Sequence, residues 1–336
     1  MSYSSLPSGV EKTPAREQIV ASVQTVCDRF DDDFWLEKDQ KKEFPFEFHR
    51  AMSESGWLGI TMPVEFGGAG LGVTEAALMM HTVGRSAGAF AACSSIHINL
   101  FGPHAIIKYG TPEQKSKWIP RLITGEDKVA FGVTEPDVGL DTTRIKTRAV
   151  RRGSHYEISG SKVWMSTAQI ANKILLVTRT SPIEDCAKGT DGITLFYVDI
   201  DPKYVEVREI DKMGRAAVDS NLVFIDGLVV SESDRVGDEG DGFRMLLDTL
   251  NPERILIAAE AIGVGRRALN KAVNYANERE VFGRLIGQNQ AIQHPLAESW
   301  MALEAADLMV WRAAGLYDDE EPCGAEANAA KFLAAD

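Results

Sequence analysis

The spacing of the apolar residues changes twice along this chain, and these changes limit the folds that it can adopt. From about residue 13 to residue 125, apolar residues recur at helical spacing. From about 128 to 236 the period becomes two, and β-branched and aromatic residues dominate. From about 242 onward the helical period returns in long pieces. Strands without interleaved helices indicate an antiparallel barrel or sandwich, so we expect helices, then a β domain, then a helical bundle.

Length and charge exclude several classes of protein. The 336 residues suit two or three folded units. The net charge of −13 argues against nucleic acid as the principal partner. No window approaches 18 consecutive apolar residues, and the first residues lack the apolar stretch of a secretory signal, so no transmembrane segment is expected. Four widely spaced cysteines indicate reduced thiols in an intracellular protein and no metal site: Cys27, Cys93, Cys186 and Cys323.

The segment Phe131–Gly139 (FGVTEPDVG) joins an apolar strand to a tight turn. Backbone N–H groups and the Thr134 hydroxyl would meet there, and such a group suits a ligand with carbonyl or phosphate oxygens. On the local pattern alone, a β-turn at a domain edge is the favoured interpretation.

The segment Ser159–Thr167 (SGSKVWMST) predicts a strand that carries Trp164 and ends in two hydroxyl side chains. Such a strand can lay an indole beside a flat cofactor while a hydroxyl bonds the edge of that cofactor. The alternative interpretation is a core tryptophan followed by a hydroxylated turn.

The segment Glu278–Arg284 (EREVFGR), followed by Asn289–Gln293 (NQAIQ), separates two long helical patterns. An arginine there could neutralise a pyrophosphate, and Phe282 could cap a ring. The alternative interpretation is a solvated loop between helices.

The segment Asn251–Arg254 (NPER) begins an otherwise apolar helical stretch. A carboxylate such as Glu253 on a helix that enters a core is costly unless it is paired or functional. The alternative is a glutamate favoured by the dipole of a helix N-terminus. Glu260 lies seven residues on and shares the same helix face.

A nominal G-x-G-x-x-A pattern spans Gly263 to Ala268. It lies inside a helical stretch with no strand before it, so close packing of helices is favoured over a dinucleotide-binding turn.

Taken in order, these motifs resemble the acyl-CoA dehydrogenase family of flavoproteins: VTEP at 133–136, KVWMS at 162–166, ERxxFG at 278–283 and QAIQ at 290–293. The resemblance runs from about residue 15 to the end. It implies an α-helical N-terminal domain over 13–127, an antiparallel β-barrel middle domain over 128–236 and a C-terminal four-helix bundle over 237–336. The chain stops within an alanine-rich helical pattern, so we expect a bundle that is truncated at its C-terminal end.

The resemblance implies FAD-dependent α,β-dehydrogenation of an acyl-CoA to the trans-2-enoyl-CoA. In that family a glutamate removes the α-proton, the β-hydride passes to flavin N5, and an electron-transferring flavoprotein takes the electrons. An oxidase on the same fold and a non-catalytic acyl-CoA- or FAD-binding protein are the alternatives. The bacterial cytoplasm, the mitochondrion and the peroxisome all agree with the sequence, and the acyl chain length is not indicated.

The resemblance also implies which residues contact FAD. Arg279, Phe282 and Gln290 match residues that reach FAD bound mainly by a neighbouring subunit, which implies a homodimer or homotetramer. The expected cofactor-binding residues are Phe131, Gly132, Val133, Thr134, Trp164, Met165, Ser166, Arg279, Phe282 and Gln290.

The expected catalytic base is Glu253. The commoner base of the family lies in a Glu-Gly-Thr segment that this sequence lacks, whereas members like the isovaleryl- and long-chain enzymes place it directly before an arginine on the first bundle helix. Arg254 occupies that next position, and Arg254 and Asn251 are expected to contact the substrate. Leu140 is also expected to contact the substrate; it stands where many members have a serine, so a hydroxyl near the thioester is absent there.

Overall fold

The computed structural model describes residues 6–336, which form two compact units. The first, called here the helical unit, combines Leu71–Cys93 and Asn251–Asp336 with the described residues up to Trp35. The second, called the sheet unit, contains Leu36–Gly70 and Ser94–Leu250.

The regular elements of the described chain before the first strand are helices, as the apolar spacing predicts. Local signals set several of the helix ends. Thr111, for example, forms a capping box with Gln114, since each side chain accepts a hydrogen bond from the other residue's backbone N–H. The helices are α1 Pro14–Cys27, α2 Asp32–Lys41, α3 Phe46–Glu54, α4 Val73–Arg85, α5 Ala89–Phe101, α6 His104–Tyr109 and α7 Pro112–Ile123.

One sheet of eight strands follows, in the hydrogen-bonded order β6-β7-β3-β2-β4-β5-β8, with β1 also paired to β4. Its core includes the fully buried side chains of Tyr156, Ile174, Leu176 and Phe196. The strands are β1 Val129–Gly132, β2 Arg148–Arg152, β3 His155–Ser166, β4 Lys173–Arg179, β5 Ile193–Asp199, β6 Val205–Glu209, β7 Ser220–Ser231 and β8 Arg235–Val236.

The sheet is mixed, whereas the sequence analysis expected an antiparallel one. β1 and β2 both run parallel to β4, and the other pairs in this sheet are antiparallel. The β2–β3 hairpin reverses the chain once and the connection from β3 to β4 reverses it again, so β4 runs in the same direction as β2. The period of the sequence indicates a strand but not the direction of its neighbours. Closure of the sheet into a barrel stays a prediction.

Helices return after the sheet, with a short hairpin between the two longest. These elements are α8 Gly242–Glu278, β9 Glu280–Val281, β10 Arg284–Leu285, α9 Gln290–Asp318 and α10 Gly324–Ala335. The predicted order of helices, sheet and helices is therefore confirmed. The exact domain bounds stay a prediction.

One helical stretch, Ala89–Tyr109, is long and apolar enough to cross a membrane by length and composition alone. It is interrupted between α5 and α6, and 78% of its most apolar window is buried within the protein. Burial of this kind is typical of a core helix, which passes the same test as a membrane span.

Two glycines bring α4 and α8 into backbone contact in the helical unit. A Cβ atom on Gly263 would lie 2.3 Å from the carbonyl oxygen of His81, and one on Gly84 would lie 2.5 Å from that of Glu260. Gly265 faces α9, where a Cβ would lie 2.6 Å from a methyl group of Leu303. The interpretation of the G-x-G-x-x-A pattern as close helix packing is confirmed.

Gly263→Ala should lower the free energy of unfolding by about 1–3 kcal/mol, because the new methyl group meets backbone that cannot move without separating α4 from α8. Chemical denaturation measures the change. Gly315→Ala is the matched control, since a Cβ there meets nothing within 4 Å and alanine favours a helix. Equal stability of the Gly263 variant and wild type would contradict the close contact.

Asp307 is a buried carboxylate on α9 in the helical unit. Its oxygens accept hydrogen bonds from Arg266 Nη2 at 3.2 Å and from Trp311 Nε1 at 2.8 Å. Burial raises the pKa of Asp307 to about 6, although Arg266 opposes the shift.

Asp307 should make the protein less stable as pH rises from about 4 to about 6, because the native state holds its proton more tightly than the unfolded chain does. The loss across this window is about 3 kcal/mol. Asp307→Asn removes the titration, so the difference in unfolding free energy between wild type and this variant should change across the window. Glu298→Gln, an exposed change on the same helix, should leave the difference constant. A flat difference for Asp307→Asn would disprove the raised pKa.

Candidate active site

The turn after β1 forms as the sequence predicts. Glu135 and Val138 exchange two backbone hydrogen bonds, of 3.1 and 3.0 Å, around Pro136 and Asp137. Among the hydrogen bonds of the described residues, the Thr134 N–H and hydroxyl have no acceptor. Thr134 is partly exposed, so both groups are available to a ligand.

Phe131, Gly132 and Val133 lie before this turn. Phe131 and Gly132 end β1, opposite Leu175 and Leu176 of β4, and Gly132 is buried. The carbonyl oxygen of Val133 accepts a hydrogen bond from a lysine side chain. Gly132 and Val133 therefore place backbone atoms near the turn.

Trp164 lies on β3 with its side chain 63% exposed. The register between β3 and β7 shifts between Lys162 and Met165, and Trp164 adopts a left-handed backbone with φ +62° at this irregularity. A bulky residue in that region is strained, and such strain is concentrated at functional sites. The core interpretation of this tryptophan is wrong, since the indole face is open to a ligand.

Met165 and Ser166, also expected to contact the cofactor, lie at the end of β3. The Met165 side chain is buried in the core of the sheet, and its carbonyl oxygen accepts a hydrogen bond from Asn221 Nδ2 at 2.8 Å. Contact of Met165 with the cofactor stays a prediction, and its buried side chain leaves only the backbone for such a contact. Ser166 is partly exposed, with Arg215 Nη2 3.4 Å from its Oγ.

Thr167 and Arg215 hold this end of β3, and the sequence analysis did not assign either a role. The Thr167 hydroxyl donates to the Val129 carbonyl oxygen at 3.0 Å and so ties β3 to β1. Arg215 also donates to Ser94 Oγ at 2.6 Å. The two adjacent hydroxyl residues at 166 and 167 stand out in the sequence, whereas no local pattern indicates the contacts of Arg215.

A buried ion pair joins the two predicted flavin segments, and sequence reasoning missed it. Lys162 Nζ lies 2.9 Å from Glu135 Oε1, and the two side chains are 0% and 5% exposed. Burial lowers the pKa of Lys162 to about 8, against the effect of Glu135. Burial alone would raise the pKa of Glu135, but Lys162 and hydrogen bonds hold it below its usual value. The opposite charges of Glu135 and Lys162 in these two segments were the available signal.

The residues expected around the base lie in the helical unit. Glu253 is partly buried, and its Oε2 atom is shielded from solvent. It lies within α8 rather than at the helix N-terminus, so the helix-dipole interpretation is wrong. Arg254 donates to Asn251 Oδ1 at 3.1 Å. Glu260, on the same helix, is buried.

Leu140, the remaining substrate candidate, lies in the sheet unit beyond the turn that follows β1. Its side chain is fully exposed and makes no apolar contact that would hold it in a core. Its expected role near the thioester stays a prediction.

The hairpin between α8 and α9 presents the other cofactor candidates. Phe282 is fully exposed at the hairpin turn, with φ +54°, and Arg279 and Gln290 are exposed on either side. The backbone N–H of Arg279 donates to the Tyr275 carbonyl oxygen at 2.8 Å. Contact of these residues with FAD of a neighbouring subunit stays a prediction.

These groups fit a flavin. An exposed indole, the available N–H and hydroxyl of Thr134 and the Ser166 hydroxyl provide an apolar face and polar atoms for a heteroaromatic ring. Within residues 6–336, no group of three His, Cys, Asp and Glu side chains could hold a metal ion.

The chain matches three domain families along its length. Residues 13–126 match the acyl-CoA dehydrogenase N-terminal domain, residues 130–228 the middle domain and residues 240–336 the C-terminal domain.

Two relatives and one solved structure extend this finding. An acyl-CoA dehydrogenase of Bacillus subtilis is 35% identical over 89% of this chain and 78% of its own length. The caffeyl-CoA reductase-Etf complex subunit CarC of Acetobacterium woodii is 33% identical over the same shares. The structure of butyryl-CoA dehydrogenase from Megasphaera elsdenii superimposes with a TM-score of 0.90 at 26% identity, covering 97% of this chain and 85% of that one.

Trp164→Ala should weaken FAD binding roughly threefold to tenfold, because the exposed ring is expected to lie against the isoalloxazine. The melting temperature of the apoprotein should hardly change, since the side chain is largely outside the core. Titration of the apoprotein with FAD measures the affinity. Val229→Ala, at a side chain 53% exposed in the same sheet, is the control and should bind FAD as wild type does. Unchanged affinity in the Trp164 variant would remove this residue from the cofactor site.

Proposed function

The chain belongs to the acyl-CoA dehydrogenase family, and on that premise we propose that it oxidises an acyl-CoA thioester to the trans-2-enoyl-CoA. It is an oxidoreductase with FAD as its cofactor. The reaction removes a proton from Cα and a hydride from Cβ, so that a carbon–carbon double bond forms. FAD, when bound, supplies the acceptor for the hydride.

Glu253 is proposed as the base that takes the α-proton. That proton is weakly acidic, so a carboxylate can remove it only where the thioester oxygen is polarised and water is excluded. The burial of Glu253 Oε2 is the observation that carries this assignment, because a carboxylate oxygen away from bulk water has this environment. The proton passes from Cα to that carboxylate.

Arg254 and Asn251 are proposed to hold the substrate beside the base. Adjacent residues on a helix do not face the same side, so Arg254 and Glu253 lie on different faces of α8. The Arg254 guanidinium donates a hydrogen bond to Asn251 Oδ1. This contact orients a positive charge and an amide as one unit. A CoA thioester carries phosphates and amides that such a unit can bind.

Thr134, Trp164 and Ser166 are proposed to hold the flavin ring. Thr134 offers a backbone N–H and a hydroxyl, Trp164 offers an indole face, and Ser166 offers a hydroxyl. These groups orient the cofactor, and none of them needs to gain or lose a proton. Arg279, Phe282 and Gln290 are proposed to complete the FAD site of a neighbouring subunit in a homodimer or homotetramer.

An electron-transferring flavoprotein is the proposed electron acceptor. One relative is named as a subunit of a complex of caffeyl-CoA reductase with such a protein, which supports this partner. The test compares how fast an electron-transferring flavoprotein and air reoxidise the reduced enzyme. Faster reoxidation by air would indicate an oxidase.

The reverse reaction is the second candidate, because that relative is named as a reductase. Glu253 would then begin protonated and deliver its proton to Cα of a 2-enoyl-CoA as hydride reaches Cβ. Anaerobic mixing of the oxidised protein with acyl-CoAs, and of the reduced protein with 2-enoyl-CoAs, shows which direction is faster.

Glu253→Gln should slow bleaching of the bound flavin by acyl-CoA by at least about a hundredfold, because glutamine cannot accept the α-proton. FAD affinity and melting temperature should stay close to wild type, since the two side chains have nearly the same shape. Anaerobic stopped-flow absorbance with straight and branched acyl-CoAs measures the rate.

Glu298→Gln is the control for this experiment, since it removes an exposed carboxylate elsewhere in the helical unit. Its rate should equal that of wild type. Bleaching at the wild-type rate in the Glu253 variant would show that another group is the base.

A further inference from the structure

We propose that Lys162 is a positioning residue for the flavin, and that its ammonium group, held by Glu135, fixes the backbone of Val133 and Thr134 against β3. The proposal rests on the proposed function, because it takes the face that carries Thr134 and Trp164 to bind FAD. Lys162 itself is fully buried and so acts through the backbone.

Three hydrogen bonds fasten the turn to the strand. Lys162 Nζ donates to the Val133 carbonyl oxygen at 3.0 Å and to Glu135 Oε1 at 2.9 Å. The backbone N–H of Val163 donates to the Thr134 carbonyl oxygen at 2.9 Å. Thr134 therefore has bonded residues on both sides, and its separation from β3 is fixed.

Glu135 is held in turn by the chain that leads into β2. Its Oε2 accepts from the Lys146 N–H at 2.6 Å, and its Oε1 accepts from the Thr147 N–H at 2.9 Å. A carboxylate with these donors cannot rotate without leaving a buried N–H unsatisfied, which is costly. Lys162 is consequently anchored to both ends of the segment that joins β1 to β2.

The position of Lys162 relates this anchor to the ligand face. Trp164 follows two residues later on β3, at the irregularity where the register with β7 shifts. A change in the bonds of Lys162 would alter both the turn that carries Thr134 and the strand segment before Trp164. Loss of the Lys162 ammonium should therefore change how Thr134 and Trp164 hold the flavin ring.

The competing explanation is that the ion pair contributes only to folding. A folded variant without the pair would then bind FAD with wild-type affinity and an unchanged flavin spectrum. The proposed role predicts a folded variant that binds FAD more weakly and in an altered environment, so two readouts on folded protein separate the explanations.

The experiment compares Lys162→Met with wild type on the full chain. Methionine has a similar volume and no charge, so both bonds of the ammonium are lost. Far-ultraviolet circular dichroism establishes that the apoprotein is folded, and flavin fluorescence on titration gives the dissociation constant for FAD. We expect it to rise at least about tenfold, because charge-assisted hydrogen bonds are lost. The visible circular dichroism of the bound flavin should change as well.

Lys162→Met leaves Glu135 buried without its cation, which can prevent folding. The double variant Glu135→Gln with Lys162→Met removes both charges, and it should fold and show the same loss of FAD affinity. Glu157→Gln, on the same strand as Lys162, is the matched control, because it breaks the exposed ion pair with Arg152 of β2. Its affinity should stay within about twofold of wild type.

A folded Lys162→Met or double variant with wild-type FAD affinity and spectrum would overturn the positioning role. The titration involves no acyl-CoA, so its result is independent of turnover. A wild-type protein that binds FAD but does not oxidise any acyl-CoA would refute the proposed function alone. A wild-type protein that does not bind FAD would refute both.

Discussion

The ion pair of Glu135 and Lys162 is the interaction on which the candidate ligand face of the sheet unit depends. The chain between β1 and β2 is irregular, so the ladder hydrogen bonds of a sheet do not hold it. Glu135 joins the two ends of this segment, through Lys146 and Thr147 on one side and Lys162 on the other. Burial makes each bond stronger and makes its loss more costly. A polar network in an apolar sheet therefore defines the position of the turn.

Backbone strain marks two of the candidate cofactor-binding residues. Trp164 and Phe282 are large, exposed and left-handed in φ, a combination that neither burial nor local geometry favours. Such conformations persist only where the surroundings enforce them. For Trp164 the surroundings are the β3–β7 pairing and the bonds of Lys162. For Phe282 they are the two-strand hairpin that separates α8 from α9.

In the helical unit, contact between the backbones of α4 and α8 provides the rigid support. Gly84 and Gly263 allow α4 and α8 to approach until carbonyl oxygens replace side chains at the interface. The same helix carries Glu253, with one carboxylate oxygen away from solvent. Because packed backbone has little freedom to shift, α8 offers a rigid support for the proposed base.

The sequence by itself determined the order of helices, strands and helices, because hydrophobic period is a local property. It also identified the turn after β1, the packing glycines of α8 and the motifs by which the chain resembles its family. Only the tertiary structure decided that β1 and β2 run parallel to β4, that the Met165 side chain belongs to the core, and that Lys162 meets Glu135. Those outcomes depend on residues far apart in the chain, and partners brought together by folding leave no pattern at short spacing.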